Sequence, residues 1–249
     1  MTTPPPARDH YEDLLARHYT WLMGGFSAKL AQAEAFFAKI SGAPQGSGRA
    51  VDLGCGPGFQ SLALAKAGFS IMAVDLSPTL LAELTAQARE RDLDISTTET
   101  DLVEFMAGQA EPVELIACMG DTLPHLPSRE QVSRMFGDAA SALEPGGRIV
   151  LSFRDLSHEL MGTDRFLPVR SDTTTIFTCF LEYGPEQVLV HDLVYSRLGP
   201  DGEWELHKSC YPKLRLAREW VAAELRGAGL DLELDEMEQG MVTLVGKKL

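Results

Sequence analysis

Basic side chains and closely spaced cysteines are both scarce in this sequence of 249 residues. Its 22 Lys and Arg stand against 36 Asp and Glu, so the formal net charge is −14. Such a surface repels a phosphate backbone, and a nucleic acid is therefore not an expected partner. No C-x-x-C spacing occurs, which favours four reduced thiols over a metal site or a disulfide framework. The thiols belong to Cys55, Cys118, Cys179 and Cys210.

Long apolar runs are also missing. No stretch is long enough to span a bilayer, and the N-terminus lacks a basic region followed by an apolar one, so we expect a cytoplasmic protein without a membrane anchor. The composition is that of a globular protein, with 45% apolar and 23% charged residues. Residues 1–6 are too rich in proline for a helix or strand and are expected to form a frayed arm.

Between residues 50 and 151 short β-type runs alternate with amphipathic helical stretches. Helix signals include Ser77 before Pro78, and Ser128 with Gln131 as a capping box. The second helix carries apolar residues at helical spacing from Val132 to Leu143 and ends at Pro145-Gly146-Gly147. Repeated strand–helix–strand units predict a doubly wound α/β fold with a mostly parallel sheet. The predicted strands are 49–53, 70–74, 95–98, 113–118 and 148–153.

After Phe153 the pattern changes. Turn residues at 183–185 and 199–202 separate three β-rich runs (174–181, 187–198 and 203–211), which predicts an inserted antiparallel β-meander. A helix at 215–226 and a strand pair at 230–234 and 241–245 are expected to complete a seven-stranded sheet. Residues 11–40 have a helical pattern. The predicted parts are an N-terminal arm with a helical cap (1–48), a core (49–155), the β insertion (156–213) and the segment that completes the core (214–249).

A glycine-rich loop, Gly54-Cys55-Gly56-Pro57-Gly58, follows the first strand. Glycines at this spacing let the backbone turn sharply and approach a ligand closely, although a tight turn alone would also account for them. The dinucleotide pattern G-x-G-x-x-G fails because Phe59 stands where its third glycine belongs. An NAD-dependent oxidoreductase is thus disfavoured.

The loop, with Asp52 before it, resembles motif I of the class I S-adenosylmethionine-dependent methyltransferases. Segments at Asp75, Asp101, 118–121 and 143–147 follow in the family's order. The resemblance implies a Rossmann-like fold and S-adenosylmethionine as methyl donor, with S-adenosylhomocysteine as product and no metal. It places Asp75 on the ribose hydroxyls, because a carboxylate can accept from both. The donor-binding residues implied are Tyr19, Asp52, Gly54, Gly56, Gly58, Asp75, Leu76, Asp101, Leu102 and Met119.

Three of these residues have equally simple structural interpretations. Asp101 also suits a helix N-cap, Met119 a core position, and Tyr19 ordinary helix packing.

Segments 118–126 and 153–156 are similar to those of glycine N-methyltransferase and its small-molecule relatives. In that group an arginine at the place of Arg154 anchors the acceptor's carboxylate, and the β insertion covers the acceptor. Asp121 stands where the group has asparagine, which favours an amine or hydroxyl as acceptor. Asp121 and His125 are the candidate bases. A structural ion pair for Arg154 and a loop role for His125 remain open.

The sequence therefore predicts a methyltransferase that moves a methyl group by in-line displacement to nitrogen or oxygen of a small molecule. Two alternatives keep the same loop: a catalytically idle S-adenosylmethionine-binding module, and a methyltransferase acting on a protein or tRNA. A homodimer is left open.

Overall fold

A computed structural model describes residues 7–197 and 202–249. The predicted arm at 1–6 and most of the predicted turn at 199–202 lie outside this range. The helices are α1 (Ala7–His10), a π turn (Tyr11–Leu15), α2 (Ala16–Leu22), α3 (Phe26–Ile40), α4 (Phe59–Lys66), α5 (Pro78–Arg89), α6 (Leu102–Gly108), α7 (Arg129–Ala142) and α8 (Arg218–Gly227). The strands are β1 (Arg49–Leu53), β2 (Ser70–Asp75), β3 (Ile95–Glu99), β4 (Val113–Cys118), β5 (Leu143–Arg154), β6 (Phe166–Ser171), β7 (Thr175–Tyr183), β8 (Gln187–Ser196), β9 (Glu205–Leu214), β10 (Leu230–Glu238) and β11 (Met241–Lys248).

Seven strands form the large sheet, in the order β10-β11-β5-β4-β1-β2-β3. The pairs β1–β2, β2–β3, β1–β4 and β4–β5 are parallel, whereas β11 is antiparallel to both β5 and β10. The predicted Rossmann-like fold is confirmed. The strand order reverses between β1 and β4, and such a switch point leaves a crevice at the carboxyl ends of the strands.

Helices cover both faces of this sheet, as the short apolar strands require. One face packs under α6, α7 and α8 around Phe136, Leu151 and Phe153. The other face packs under α3, α4 and α5 around Phe37, Leu62 and Leu84. The functional edge of the sheet is therefore held between two apolar layers.

The predicted meander is a separate four-stranded antiparallel sheet, in the order β6-β7-β8-β9. Strand β6 was not predicted, because five of its six residues are exposed and the sequence pattern shows no buried alternation. A register shift between Pro168 and Arg170 interrupts its pairing with β7. We call β6–β9 the small sheet.

Two local predictions were wrong in detail. The helical segment 11–40 is broken at Gly24 and Gly25, whose φ values of 93° and 95° favour glycine. Leu143, expected on the last turn of α7, is the first residue of β5. It pairs with Val113 before a register shift, so the 145–147 turn lies inside the strand's range.

None of the helices in the described part of the chain is long and apolar enough to cross a membrane.

Candidate active site

A cavity partly open to solvent lies at the carboxyl ends of β1, β2 and β4, beneath the N-terminal helical segment. We call it the first cavity. Its position matches the crevice that the strand order creates. The sequence-predicted donor residues that line it are Tyr19, Gly54, Gly56, Asp75, Leu76, Asp101 and Leu102. Asp52, Gly58 and Met119 are not part of this lining.

The three glycines of the loop serve different purposes. A Cβ on Gly54 would stand 2.3 Å from Thr122 Cγ2, and one on Gly58 would stand 2.5 Å from Leu84 Cγ. These two positions let neighbouring elements pack against the loop. Gly56 has φ +53°, and a Cβ added there would have Tyr19 Cε1 as its nearest neighbour, at 3.7 Å, so the missing side chain leaves space in the first cavity.

Gly58→Ala is expected to lower the free energy of unfolding by about 2 kcal/mol or more. Alanine would have to adopt the left-handed backbone conformation of Gly58, and its Cβ would clash with Leu84. Gly137→Ala is the matched control. Gly137 lies inside α7 with nothing within 4 Å of the added atom, so its substitution is expected to stabilise by up to about 1 kcal/mol. Urea unfolding of both variants measures the difference, and equal effects would refute the packing role of Gly58.

Asp75 ends β2 and binds the loop directly. Its Oδ2 accepts from the Gly56 amide at 2.8 Å, and its Oδ1 accepts from the Ser77 amide at 2.9 Å. Burial raises the pKa of this carboxyl, and the two amides partly offset the effect. Each oxygen retains a free lone pair for a ligand hydroxyl. Asp75 thus holds the loop in shape while it faces the first cavity.

Asp52 lies beneath the loop and is 1% exposed. Its Oδ2 accepts from the Ser61 hydroxyl at 2.6 Å. Burial is the main reason that its pKa is raised to about 7, and the nearby Asp75 carboxylate adds to the effect. Because of this burial, the Asp52 carboxyl is expected to gain or lose its proton near neutral pH.

Asp101 is the N-cap of α6, which was the structural interpretation offered by the sequence. Its Oδ1 accepts from the Val103 amide at 2.8 Å and from the Glu104 amide at 3.2 Å. It also lines the first cavity beside Leu102, so capping and ligand binding are compatible. Met119 lies outside that cavity and lines another, described below.

The N-terminal helical segment is fixed over the first cavity by polar contacts. Glu12 accepts from the hydroxyls of Ser77 and Thr79, and Thr20 donates to Glu83 Oε1 at 2.5 Å. Tyr19 reaches inward from this segment. The sequence offers only a helical pattern here and gives no signal that Glu12 docks on α5.

Asp121 is 8% exposed and adopts φ +74°, which is rare for a residue other than glycine. Its amide donates to the Ser152 carbonyl at 3.0 Å, and its Oδ1 accepts from the Arg154 amide at 2.8 Å. Its Oδ2 pairs with the ammonium of Lys213, which is also 8% exposed. Both carboxylate oxygens are thus engaged, and the geometry makes Asp121 a link between β4, β5 and the small sheet.

His125 lines the first cavity and belongs to an aromatic cluster. Its ring stacks on Tyr211 with centroids 5.2 Å apart, and its Nε2 lies 3.5 Å from the Tyr11 hydroxyl. Burial, with the Lys213 ammonium, holds the pKa of His125 well below its ordinary value. The other side of the cluster is His10, whose Nε2 lies 2.9 Å from Asp192 Oδ2. The surroundings of His125 therefore favour the neutral form of its imidazole.

Three residues of this cluster, Lys213, Tyr211 and His10, were not predicted from the sequence. Lys213 and Tyr211 are separated by one residue on β9, and both are buried. Alternation along a strand would have placed them on one face, but the pairing of β9 with β8 was needed to show that this face is the inner one.

Within residues 7–197 and 202–249, no group of three or more His, Cys, Asp or Glu could hold a metal ion.

Comparison with known proteins identifies the central part of the chain. Residues 50–147, which contain β1 through the start of β5, match the sequence model of the methyltransferase domain family. Residues 50–147 are therefore similar to a methyltransferase domain. This match supports, for that part of the chain, the class predicted from the glycine-rich loop and the order of the later segments.

Two relatives illustrate how far the sequence similarity extends. A methyltransferase of Geobacillus sp. (strain WCH70) is 26% identical over 184 residues, 71% of this chain and 73% of its own length. The ubiquinone biosynthesis O-methyltransferase of Xylella fastidiosa (strain 9a5c) is 32% identical over 109 residues, 44% of this chain and 43% of that protein. The chain thus matches less than half of the second relative.

The fold extends beyond the methyltransferase domain. The structure of CalS10 with bound S-adenosylmethionine, an amino pentose methyltransferase from Micromonospora echinaspora, covers 100% of both chains with a TM-score of 0.69 at 15% identity. At this identity the likeness shows a shared fold and no more. The expected likeness to the glycine N-methyltransferase group stays a prediction.

Proposed function

We propose that this protein is an S-adenosylmethionine-dependent methyltransferase that moves a methyl group to nitrogen or oxygen of a small molecule. The observation that best supports this function is the first cavity, where the Gly56 amide donates to the Asp75 carboxylate and Tyr19 lies over both. The donor binding of CalS10 and the O-methylation named for the Xylella relative support the same reaction class.

The residues present fit the donor. Gly56 leaves the loop without a side chain on the cavity side, and Asp75 offers oxygens for two ribose hydroxyls. Asp101 and Leu102 lie where the adenine edge is expected, and Tyr19 covers the loop. The sulfonium, when bound, supplies an already activated methyl group. The protein's own work is to align the acceptor with that group and to exclude water.

For a hydroxyl acceptor that enters the first cavity, the geometry favours His125 over Asp121 as the base. Both oxygens of Asp121 are engaged by Arg154 and Lys213, whereas the buried Nδ1 of His125 has no partner among the described residues. A neutral imidazole can take a proton from an attacking hydroxyl. An amine would not need this help.

Calorimetry with S-adenosylmethionine and with NAD tests the donor, and radiolabelled S-adenosylmethionine tests transfer. We expect binding of S-adenosylmethionine alone and transfer of label into a small-molecule extract. Binding of NAD alone would replace the proposal with an oxidoreductase. Donor binding without transfer to any extract would favour the idle binding module, and label in polymer alone would favour a protein or tRNA acceptor.

Donor binding is also expected to release protons near pH 6. The free Asp52 carboxyl, with a pKa of about 7, is then mostly protonated. A sulfonium above the loop favours the charged carboxylate and lowers that pKa, so part of the proton leaves on binding. Above about pH 8.5 Asp52 is already ionised, and the release should vanish.

Calorimetry in buffers of different ionisation enthalpy measures this release. S-adenosylhomocysteine, which lacks the positive charge, should release less, and Asp52→Asn should abolish the contribution of Asp52. Equal release by wild type and Asp52→Asn would contradict the assignment of Asp52 to the donor site.

A further inference from the structure

A second cavity, open to solvent on one side, lies between α3, the first turn of α4 and the strands β5 and β11. Apolar walls come from Phe36, Phe37 and Met241, and polar groups include Ser152 and Lys29. None of its lining residues is acidic. In a protein with a net charge of −14, a cavity with a cation and no acid favours an anionic ligand.

Lys29 is the cation in this lining. It lies near the start of α3 and is partly buried, with its Nζ 3.5 Å from Gln32 Oε1. It forms no ion pair with any carboxylate in the part of the chain that the structure describes. Its positive charge is thus available to a ligand.

Arg154 is a second cation, on the same face of the large sheet as part of this lining. In the pairing of β11 with β5, Met241 lies opposite Arg154 and Thr243 lies opposite Ser152. Side chains two residues apart share a face of a sheet, so these four point to the same side. The other three line the second cavity. Arg154 is exposed and forms no ion pair with a described residue.

The second cavity adjoins the first across the end of β4. Met119 lines the second cavity and Thr122 lines the first. Between them, the Gly120 amide donates to Ser152 Oγ at 2.9 Å, and a Cβ on Gly120 would stand 3.7 Å from the Tyr19 hydroxyl. A glycine and the Tyr19 side chain therefore separate the two spaces.

On its other side, beneath the small sheet, the first cavity is bordered by packed aromatic side chains. Tyr211 packs between His10 and His125, with ring centroids 4.2 Å and 5.2 Å away, and Tyr11 lies against the same cluster. The buried ion pair of Lys213 with Asp121 completes that packing. An acceptor has more room on the α3 side.

We propose that the second cavity is the acceptor site and that it takes a small molecule with an apolar body and a carboxylate or phosphate group. Lys29 and Arg154 bind the anionic group, and the apolar walls hold the body. Lys29 is then a specificity-determining residue. The inference rests on the proposed function, because the first cavity must hold the methyl donor.

Three probes of similar size test the charge preference, with saturating S-adenosylhomocysteine present: benzoate, phenyl phosphate and neutral benzamide. Calorimetry should show one or both anions binding at least tenfold more tightly than benzamide, and the tighter anion identifies the group. Lys29→Gln and Arg154→Gln should each weaken that anion about tenfold, the loss of one hydrogen bond to a charged group. Lys39→Gln, an exposed lysine on the same helix, is the control and should change nothing.

Transfer provides the second readout. Label moved from S-adenosylmethionine into a small-molecule extract should be retained on an anion-exchange resin, and Lys29→Gln should raise the KM for that fraction. Label that flows through, or equal binding of benzamide and the anions, would overturn this inference alone when S-adenosylmethionine still binds. Failure of S-adenosylmethionine to bind the wild type would overturn the proposed function as well.

Discussion

Asp75→Ala is expected to weaken binding of S-adenosylmethionine about a hundredfold or more. Two hydrogen bonds from ribose hydroxyls to a carboxylate contribute about 3 kcal/mol together, which corresponds to that loss. The substitution also leaves the Gly56 and Ser77 amides without their acceptor, so the loop itself becomes less ordered. Calorimetry with wild type and variant measures the change.

Asp75→Asn separates these two effects. It keeps one acceptor oxygen for a loop amide but removes the charge and one site for a hydroxyl, so an intermediate loss is expected. Asp94→Ala is the control, since Asp94 is an exposed acid just before β3 and outside the first cavity. Unchanged affinity in Asp75→Ala would remove the ribose assignment. A fall in thermal stability with intact affinity would leave Asp75 a purely structural residue.

Lys213→Met is expected to lower the free energy of unfolding by about 3–5 kcal/mol, because it leaves the Asp121 carboxylate buried without its counter-charge. Methionine retains most of the apolar stem, so lost packing contributes little. Urea unfolding of the variant measures the change. The effect should be large because the ion pair joins the small sheet to the end of β4.

The double variant Asp121→Asn with Lys213→Met should recover much of this loss, since no unpaired charge remains. Lys208→Met is the control, as Lys208 is an exposed lysine on the same strand and should change stability by less than about 0.5 kcal/mol. A Lys213→Met variant as stable as Lys208→Met would show that the Asp121 pair does not hold the two sheets together.

The sequence predicts the large sheet because its signals are local. The run from Arg49 to Leu53 contains Ala50, Val51 and Leu53, and in the structure its last four residues are buried, so a central parallel strand is recognisable without tertiary information. Ser77 before Pro78 is likewise a local signal, and Ser77 Oγ accepts from the Leu80 amide at 3.2 Å. Strand β6 carries no such signal, since its exposed side chains have no alternation to read.

Some residues of the candidate site can likewise be recognised from the sequence, and others cannot. Glycines 54, 56 and 58 and the strand-ending Asp75 are recognisable from spacing alone, because the strand order of this fold brings the ends of β1 and β2 together. The partners of Asp121 and His125 are not recognisable, since Lys213 and Tyr211 are some 90 residues away in the sequence. Their contacts depend on how the small sheet packs.

By itself, the sequence determined the doubly wound fold, the glycine-rich loop and the acid that faces it, because hydrophobic period and turn chemistry act over a few residues. Only the tertiary structure decided that Gly54 and Gly58 serve packing and that Asp121 is engaged by Lys213. It also decided that Lys29 lines an open cavity and that Arg154 lies opposite Met241 of the same lining. Burial and ion pairing between distant segments are set by packing, which no local pattern encodes.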